Sequence, residues 1–154
     1  MKILLATACG AKKNKGKMPV IDLYKSSRIK AVNNRRDGAD FAVLSAKYGL
    51  LYPDKIIKDY EQVLDSKGVK KLLPQVKEFI NKYELIVFFK GGSREEYREL
   101  IKQASEAINK PLILIGNRNQ EDIGKLEELI ARCTKGDLEK IAEIAPSIET
   151  YNLP

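Results

Sequence analysis

The chain has 154 residues, with 28 Lys and Arg, 21 Asp and Glu, no histidine and a formal net charge of +7. That length favours a single domain over residues 1–154, and the 44% apolar and 32% charged composition excludes a disordered or fibrous chain. Without histidine no Ser-His-Asp triad, Cys-His pair or His-ligated metal site can be built, so any proton transfer rests on Lys, Tyr, Cys, Asp, Glu or the substrate.

In chain order, Lys2 to Ala8 is an apolar run that reads as a buried strand ending in Cys9-Gly10. Asp22 to Asn34 has helical spacing, with Asp22 as its N-cap. Asp40 to Ser45 (DFAVLS) is a second strand, closed by Lys47-Tyr48-Gly49 and followed by a loop carrying Pro53. Apolar residues from Val69 to Tyr83 recur at helical spacing, and Pro74 must start or kink part of that helix. Glu84 to Phe89 (ELIVFF) is a third strand. Ser93 to Ile108 is a helix with Ser93 and Glu96 as a capping box. Pro111 to Ile115 (PLILI) is a fourth strand, and two amphipathic helices follow near 120–133 and 135–145. Continuous apolar strands separated by helices predict a three-layer α/β fold. Its sheet is mainly parallel, of four strands or slightly more, with helices on both faces and an undetermined strand order.

Charge is unevenly spread. Residues 1–77 hold 17 basic and 7 acidic residues, and residues 78–154 hold 11 and 14. Nine basic residues fall within 11–36, among them Lys15, Lys17, Arg28, Arg35 and Arg36, against one acid, Asp22. This pattern suits an anionic partner such as nucleic acid or a nucleotide, although Lys-rich faces are also ordinary solvated surface. The two cysteines, Cys9 and Cys133, suggest a reducing, cytoplasmic setting. The expectation is of no metal and no cofactor, and also of no signal peptide and no membrane contact, the last two because MKILLATACG turns basic too early and no apolar run approaches ~20 residues. The paired C-terminal helices are compatible with a dimer, and the oligomeric state is otherwise open.

Ligands of open parallel sheets bind beyond the strands' carboxyl ends. That rule selects Cys9-Gly10-Ala11-Lys12-Lys13, Ser45-Ala46-Lys47-Tyr48-Gly49, Lys90-Gly91-Gly92-Ser93 and Gly116-Asn117-Arg118-Asn119. Lys90 is a fair anion contact, and Gly91 and Gly92 read slightly better as a tight strand-to-helix turn. Cys9 could be a thiolate beside Lys12 and Lys13, but with no histidine as base an inert packed thiol is the better reading. Cys133 falls on an apolar helical stripe. Ser45, Lys47 and Tyr48 place a hydroxyl, a cation and a phenol at one strand end, where they could meet a phosphate or base or simply cap a turn.

The stretch VLSAKYGLLYPDKIIKDYEQVL (43–64), with Cys9-Gly10-Ala11-Lys12-Lys13 and Asp22-Leu23-Tyr24, resembles a group of uncharacterised bacterial and archaeal proteins with C-[SG]-x-x-K, D-L-Y and L-S-A-K-[YH]-G-L-L-x-P…Y segments. It is also similar to YaaA-like peroxide-stress proteins and to a domain of archaeosine synthases. The resemblance covers roughly residues 1–65. It implies a link to nucleic acid, to stress response or to base chemistry. Gly10 stands where a serine is usual, so a hydroxyl role there does not carry over.

Three expectations follow. The first is a base- or phosphate-binding protein with Ser45, Lys47, Tyr48 and Lys90 in its pocket and Cys9 and Lys12 on the rim. If it turns anything over, base modification or N-glycosidic chemistry fits, with Lys47 or Glu96 moving protons. The second is a non-catalytic DNA- or RNA-binding protein that uses the 11–36 stretch on phosphates. The third is an interaction protein whose loop motif is structural.

Overall fold

All six side chains of β1 (Ile3–Ala8) are buried, which a run as apolar as ILLATA demands. The computed structural model describes residues 1–118 and 121–154. After β1 come β2 (Lys17–Pro19), α1 (Val20–Leu23), α2 (Ser27–Asn33), β3 (Asp40–Ser45), β4 (Gly49–Leu51), β5 (Ile56–Lys58), α3 (Ser66–Asn81), β6 (Leu85–Phe89), α4 (Glu95–Ala107) and β7 (Leu112–Ile115). A 3₁₀ turn (Glu121–Lys125), α5 (Leu126–Thr134), a second 3₁₀ turn (Ile141–Glu143) and β8 (Glu149–Tyr151) complete the chain.

The main sheet has six strands in the order β4-β3-β1-β6-β7-β8. Its inner four, β3, β1, β6 and β7, run parallel, with Leu4 opposite both Asp40 and Ile86. The edge strands β4 and β8 are antiparallel. The mainly parallel α/β architecture is therefore as the apolar runs require, with two added edges.

Helices flank this sheet. α3 packs on α4, while the turn that follows α2 is joined to α5 by an Arg35–Glu127 ion pair of 3.2 Å. Right-handed crossovers put helices from oppositely directed connections on opposite faces. The chain leaves β1 toward β3 but leaves β6 toward β7. Between these two adjacent central strands the direction of winding reverses.

Several local expectations are corrected. The helix expected over Asp22–Asn34 is two helices, broken where Tyr24 is extended at φ −83° and ψ 127°. Lys13 pairs with Tyr24 across the break, and Lys25 N bonds the Lys12 carbonyl at 2.9 Å. Pairing with the loop after β1 thus overrides helical propensity. Ser26, not Asp22, caps α2, its Oγ accepting the Ile29 amide at 3.3 Å. The Ser93/Glu96 capping box does not form. Arg94 is the N-cap of α4, and the Ser93 hydroxyl instead donates to the Lys90 carbonyl at 2.6 Å.

The loop around Pro53 contains β4, hairpinned onto β3, and β5, which pairs with β2 in a small ribbon. Of the expected 135–145 helix only the Ile141–Glu143 turn exists, because Gly136 and Lys140 take positive φ. The expected helix near 120–133 is α5 with the 3₁₀ turn before it; position 120 lies outside the described residues. Pro74 sits inside α3. Among the described residues no helix is long and apolar enough to cross a membrane.

Candidate functional site

In a parallel sheet the natural ligand crevice lies where the winding direction reverses, because the loops leaving the two strands diverge there. Here that point is between the carboxyl ends of β1 and β6, and it holds a cavity of about 700 Å³. The loop after β1 contributes Cys9, Gly10, Lys12 and Lys13. The α1–α2 region contributes Lys25, Ser26 and Arg28. Glu61, Gln62 and Val63 form a strap ahead of α3, and Gly92, Ser93, Arg94 and Tyr97 belong to the entry of α4. Among the described residues, five cationic side chains and one carboxylate, Glu61, line this space.

Arg28 anchors its floor. The residue is only 8% exposed. Nη2 donates to the Ala8 carbonyl at 2.7 Å and Nη1 to the Gly91 carbonyl at 3.3 Å. Its buried Nε has no hydrogen-bond partner, and among the described residues no carboxylate pairs with it. Burial lowers its pKa. A desolvated cation costs several kcal/mol unless it finds compensating charge, and two carbonyl dipoles supply only part of that.

Beside Arg28 lies a chain of hydroxyls ending on a thiol. Cys9 Sγ is 3.2 Å from the Tyr97 hydroxyl and accepts from the Tyr60 hydroxyl at 3.6 Å. Tyr60 Oη lies 2.7 Å from both the Tyr24 hydroxyl and Ser45 Oγ. Burial first, and then the charge of Cys9, pushes the Tyr24, Tyr60 and Tyr97 phenols well above their ordinary value. They are therefore hydrogen-bond donors rather than bases. Lys13 Nζ sits 4.4 Å above the Tyr60 ring, as a cation–π contact at the cavity wall.

The expected site residues separate into two groups. Cys9, Gly10, Lys12, Lys13, Gly92 and Ser93 meet at the cavity. Ser45, Lys47, Tyr48, Gly49, Lys90 and Gly91 do not line it. Ser45 is fully buried, and its Oγ accepts the amides of Lys47 at 3.2 Å and Tyr48 at 3.1 Å, so it caps its own turn. Lys47 Nζ lies 5.3 Å from the Tyr48 ring, and that ring meets Tyr60 edge-on. Gly49 has φ +80°, and a Cβ there would lie 2.0 Å from Gln75 Oε1, which binds the Leu50 amide.

Lys90 opens on a second cavity of about 500 Å³ and pairs with Glu149 at 3.0 Å, which holds the Glu149 carboxyl below its ordinary value. Gly91 is demanded by packing, since a Cβ there would lie 2.5 Å from the Asn117 carbonyl. Asn119 of the expected fourth loop lies outside the described residues. Glu96 pairs with Arg94 at 3.3 Å.

The basic stretch does not form one surface. Lys12, Lys13, Lys25 and Arg28 turn toward the cavity, Arg35 pairs with Glu127, and Lys15, Lys17 and Arg36 are exposed. Sequence reasoning missed the cavity role of Arg28, Tyr97 and Arg94 and the strap Glu61–Val63. Tyr60 was signalled only as the last residue of the SAKYGL-type motif. No three His, Cys, Asp or Glu side chains among the described residues come together as a metal ion needs. Cys133 is buried and its thiol is pushed up to about 11 by that burial, so it is unreactive.

Residues 3–122 match a family model described as a family of unknown function (DUF6884). No curated protein and no solved structure matches the chain significantly.

Proposed function

Because the chain belongs to the DUF6884 family, whose function is unknown, its role has to be read from the chemistry of the cavity, and we propose that the cavity binds a small phosphorylated ligand of the nucleotide class. The observation that carries this reading is Arg28, a buried guanidinium at the switch point with no carboxylate among the described residues. A phosphate supplies the missing charge, and Lys12, Lys13 and Lys25 add to its field. α4 adds to it, because its N-terminus borders the cavity with no side-chain cap. Val63, 61% exposed on the strap, offers an apolar surface to a sugar or base. The resemblance to proteins of base chemistry points the same way.

A polynucleotide is the second reading. Lys15, Lys17, Lys30 and Arg36 are exposed and make no ion pair among the described residues, so they are open to a phosphodiester backbone.

Calorimetric titration with nucleoside monophosphates, the matching nucleosides, and short DNA and tRNA separates the two, repeated between about 50 and about 200 mM salt. The expected result is monophosphate binding at least tenfold tighter than the nucleoside and lost in Arg28→Gln. Steeply salt-dependent polynucleotide binding that persists in Arg28→Gln supports the second reading. Equal affinity for nucleoside and monophosphate, or binding of none of these probes, overturns the first.

A further inference from the structure

Among the described residues that line the cavity, Cys9 carries the one thiol, and its surroundings differ from those of a packed, inert thiol. It lines the space directly and is half-buried rather than sealed. Two phenols converge on its sulfur, Tyr97 at 3.2 Å and Tyr60 at 3.6 Å. The residue before it, Ala8, receives the Arg28 guanidinium at 2.7 Å, so a buried cation with an unpartnered Nε stands beside the strand end that carries the thiol. Lys12 and Lys13 of the same loop line the cavity with it, as does Arg94 at the N-cap of α4, which is paired with Glu96, while Glu61 on the strap opposes them in charge. Thiolates react as nucleophiles where donors and cations surround them.

We propose that Cys9 is a nucleophile of the cavity, its sulfur charge held by Arg28 and Tyr97, and that it forms a sulfur–carbon bond with an electrophilic carbon of the bound anion. The thiol proton passes to solvent through the open cavity as the thiolate forms. The sulfur lone pair then makes the S–C bond, and the leaving group departs with the former bonding pair and is protonated by water. In a nucleotide the fitting carbon is the anomeric carbon of the sugar, and the leaving group is the base. The identity of the substrate rests on the phosphorylated-ligand reading above, whereas the reactivity of the sulfur does not. The phenols stay protonated throughout and act as donors to the sulfur.

The test uses the full chain and two small electrophiles at neutral pH, neutral iodoacetamide and anionic iodoacetate, with alkylation of Cys9 and Cys133 followed separately by peptide mass spectrometry. In wild type Cys9 is expected to react with iodoacetamide at least about tenfold faster than N-acetylcysteine and far faster than Cys133. Arg28→Gln is expected to slow Cys9 about tenfold, and Tyr97→Phe severalfold. Rising Cys133 alkylation reports unfolding of the Arg28 variant, in which case the Tyr97→Phe comparison decides. Cys9 reacting no faster than N-acetylcysteine, or equally fast in wild type and Tyr97→Phe, overturns the proposal. Iodoacetate outpacing iodoacetamide, with the preference erased by salt, supports both the nucleophile and the anion site. Fast iodoacetamide reaction without that preference upholds the nucleophile and removes the anion-binding reading.

Discussion

The guanidinium of Arg28 donates to the Ala8 carbonyl at 2.7 Å, so a side chain of α2 closes off the end of β1. Its second arm reaches the Gly91 carbonyl just past β6. One residue thereby ties the two strands between which the winding reverses. Arg28→Gln is expected to cost about 1–2 kcal/mol in urea denaturation, since two carbonyls lose a charged donor in a buried place while relief of the under-compensated buried charge offsets part of that loss. Arg28→Lys keeps the charge but not the fork that spans two carbonyls, and should recover only part of that loss. Equal stability of Arg28→Lys and wild type would show that the two-armed geometry is unimportant.

Tyr60 is the hub of the buried hydroxyl chain. Its phenol lies at 2.7 Å from Tyr24 Oη and from Ser45 Oγ. Tyr60→Phe keeps the ring and its edge-on contacts but leaves the fully buried Tyr24 and Ser45 hydroxyls short of a partner. The expected loss is about 1–3 kcal/mol, read as a shift of the denaturation midpoint without change in its slope.

How far these features could be seen in the sequence depends on what causes them. The runs ILLATA, LIVFF and LILI are legible as strands because burial on both faces leaves no room for polar residues. The strands β2, β4, β5 and β8 are three residues long each, and their extended form comes from pairing with partners distant in the chain. The break at Tyr24 has the same origin, in its bridge to Lys13. Arg28 looks like its basic neighbours in a string of letters. Only the order β3-β1-β6 places it at the reversal point. For Ser45, the residue type was visible but not the inward direction of its side chain.

Gly49 illustrates the structural half of the SAKYGL segment. At φ +80°, with a would-be Cβ 2.0 Å from Gln75 Oε1, an alanine both strains the turn and displaces the amide that holds Leu50 through its N–H and its carbonyl, each at 2.9 Å. Gly49→Ala should destabilise the protein by about 1–3 kcal/mol. Anion binding should be retained when measured well below the melting temperature. Loss of binding in a folded Gly49→Ala protein would place this turn in the site after all.

The raised phenols predict alkaline behaviour. Tyr24, Tyr60, Tyr83 and Tyr97 all have folded-state values above the ordinary one, chiefly through burial. Their contribution to stability is therefore complete below the unfolded value of about 10 and is lost as the pH climbs past it. Absorbance of tyrosinate should show these four titrating together with unfolding, at a pH above that of the unfolded chain. Independent, gradual titration of all seven tyrosines before any loss of circular dichroism would contradict their burial.

Lys47 and Lys12 offer the sharpest contrast between motif and geometry. Lys47 belongs to the motif but is exposed and lies over the Tyr48 ring, outside the cavity. Lys12, expected only on the rim of the pocket, sits in the loop after β1 and borders the cavity. Phosphate affinity should fall severalfold to about tenfold in Lys12→Ala, the range expected for one partly solvated cation acting on a bound anion. In Lys47→Ala it should change by less than twofold, with both proteins keeping wild-type melting temperatures. Ligand titrations monitored by calorimetry at a single ionic strength decide the matter, because screening otherwise mixes long-range field with contact. The reverse ranking, with Lys47→Ala the weaker binder, would move the anion site from the β1–β6 crevice to the turn after β3.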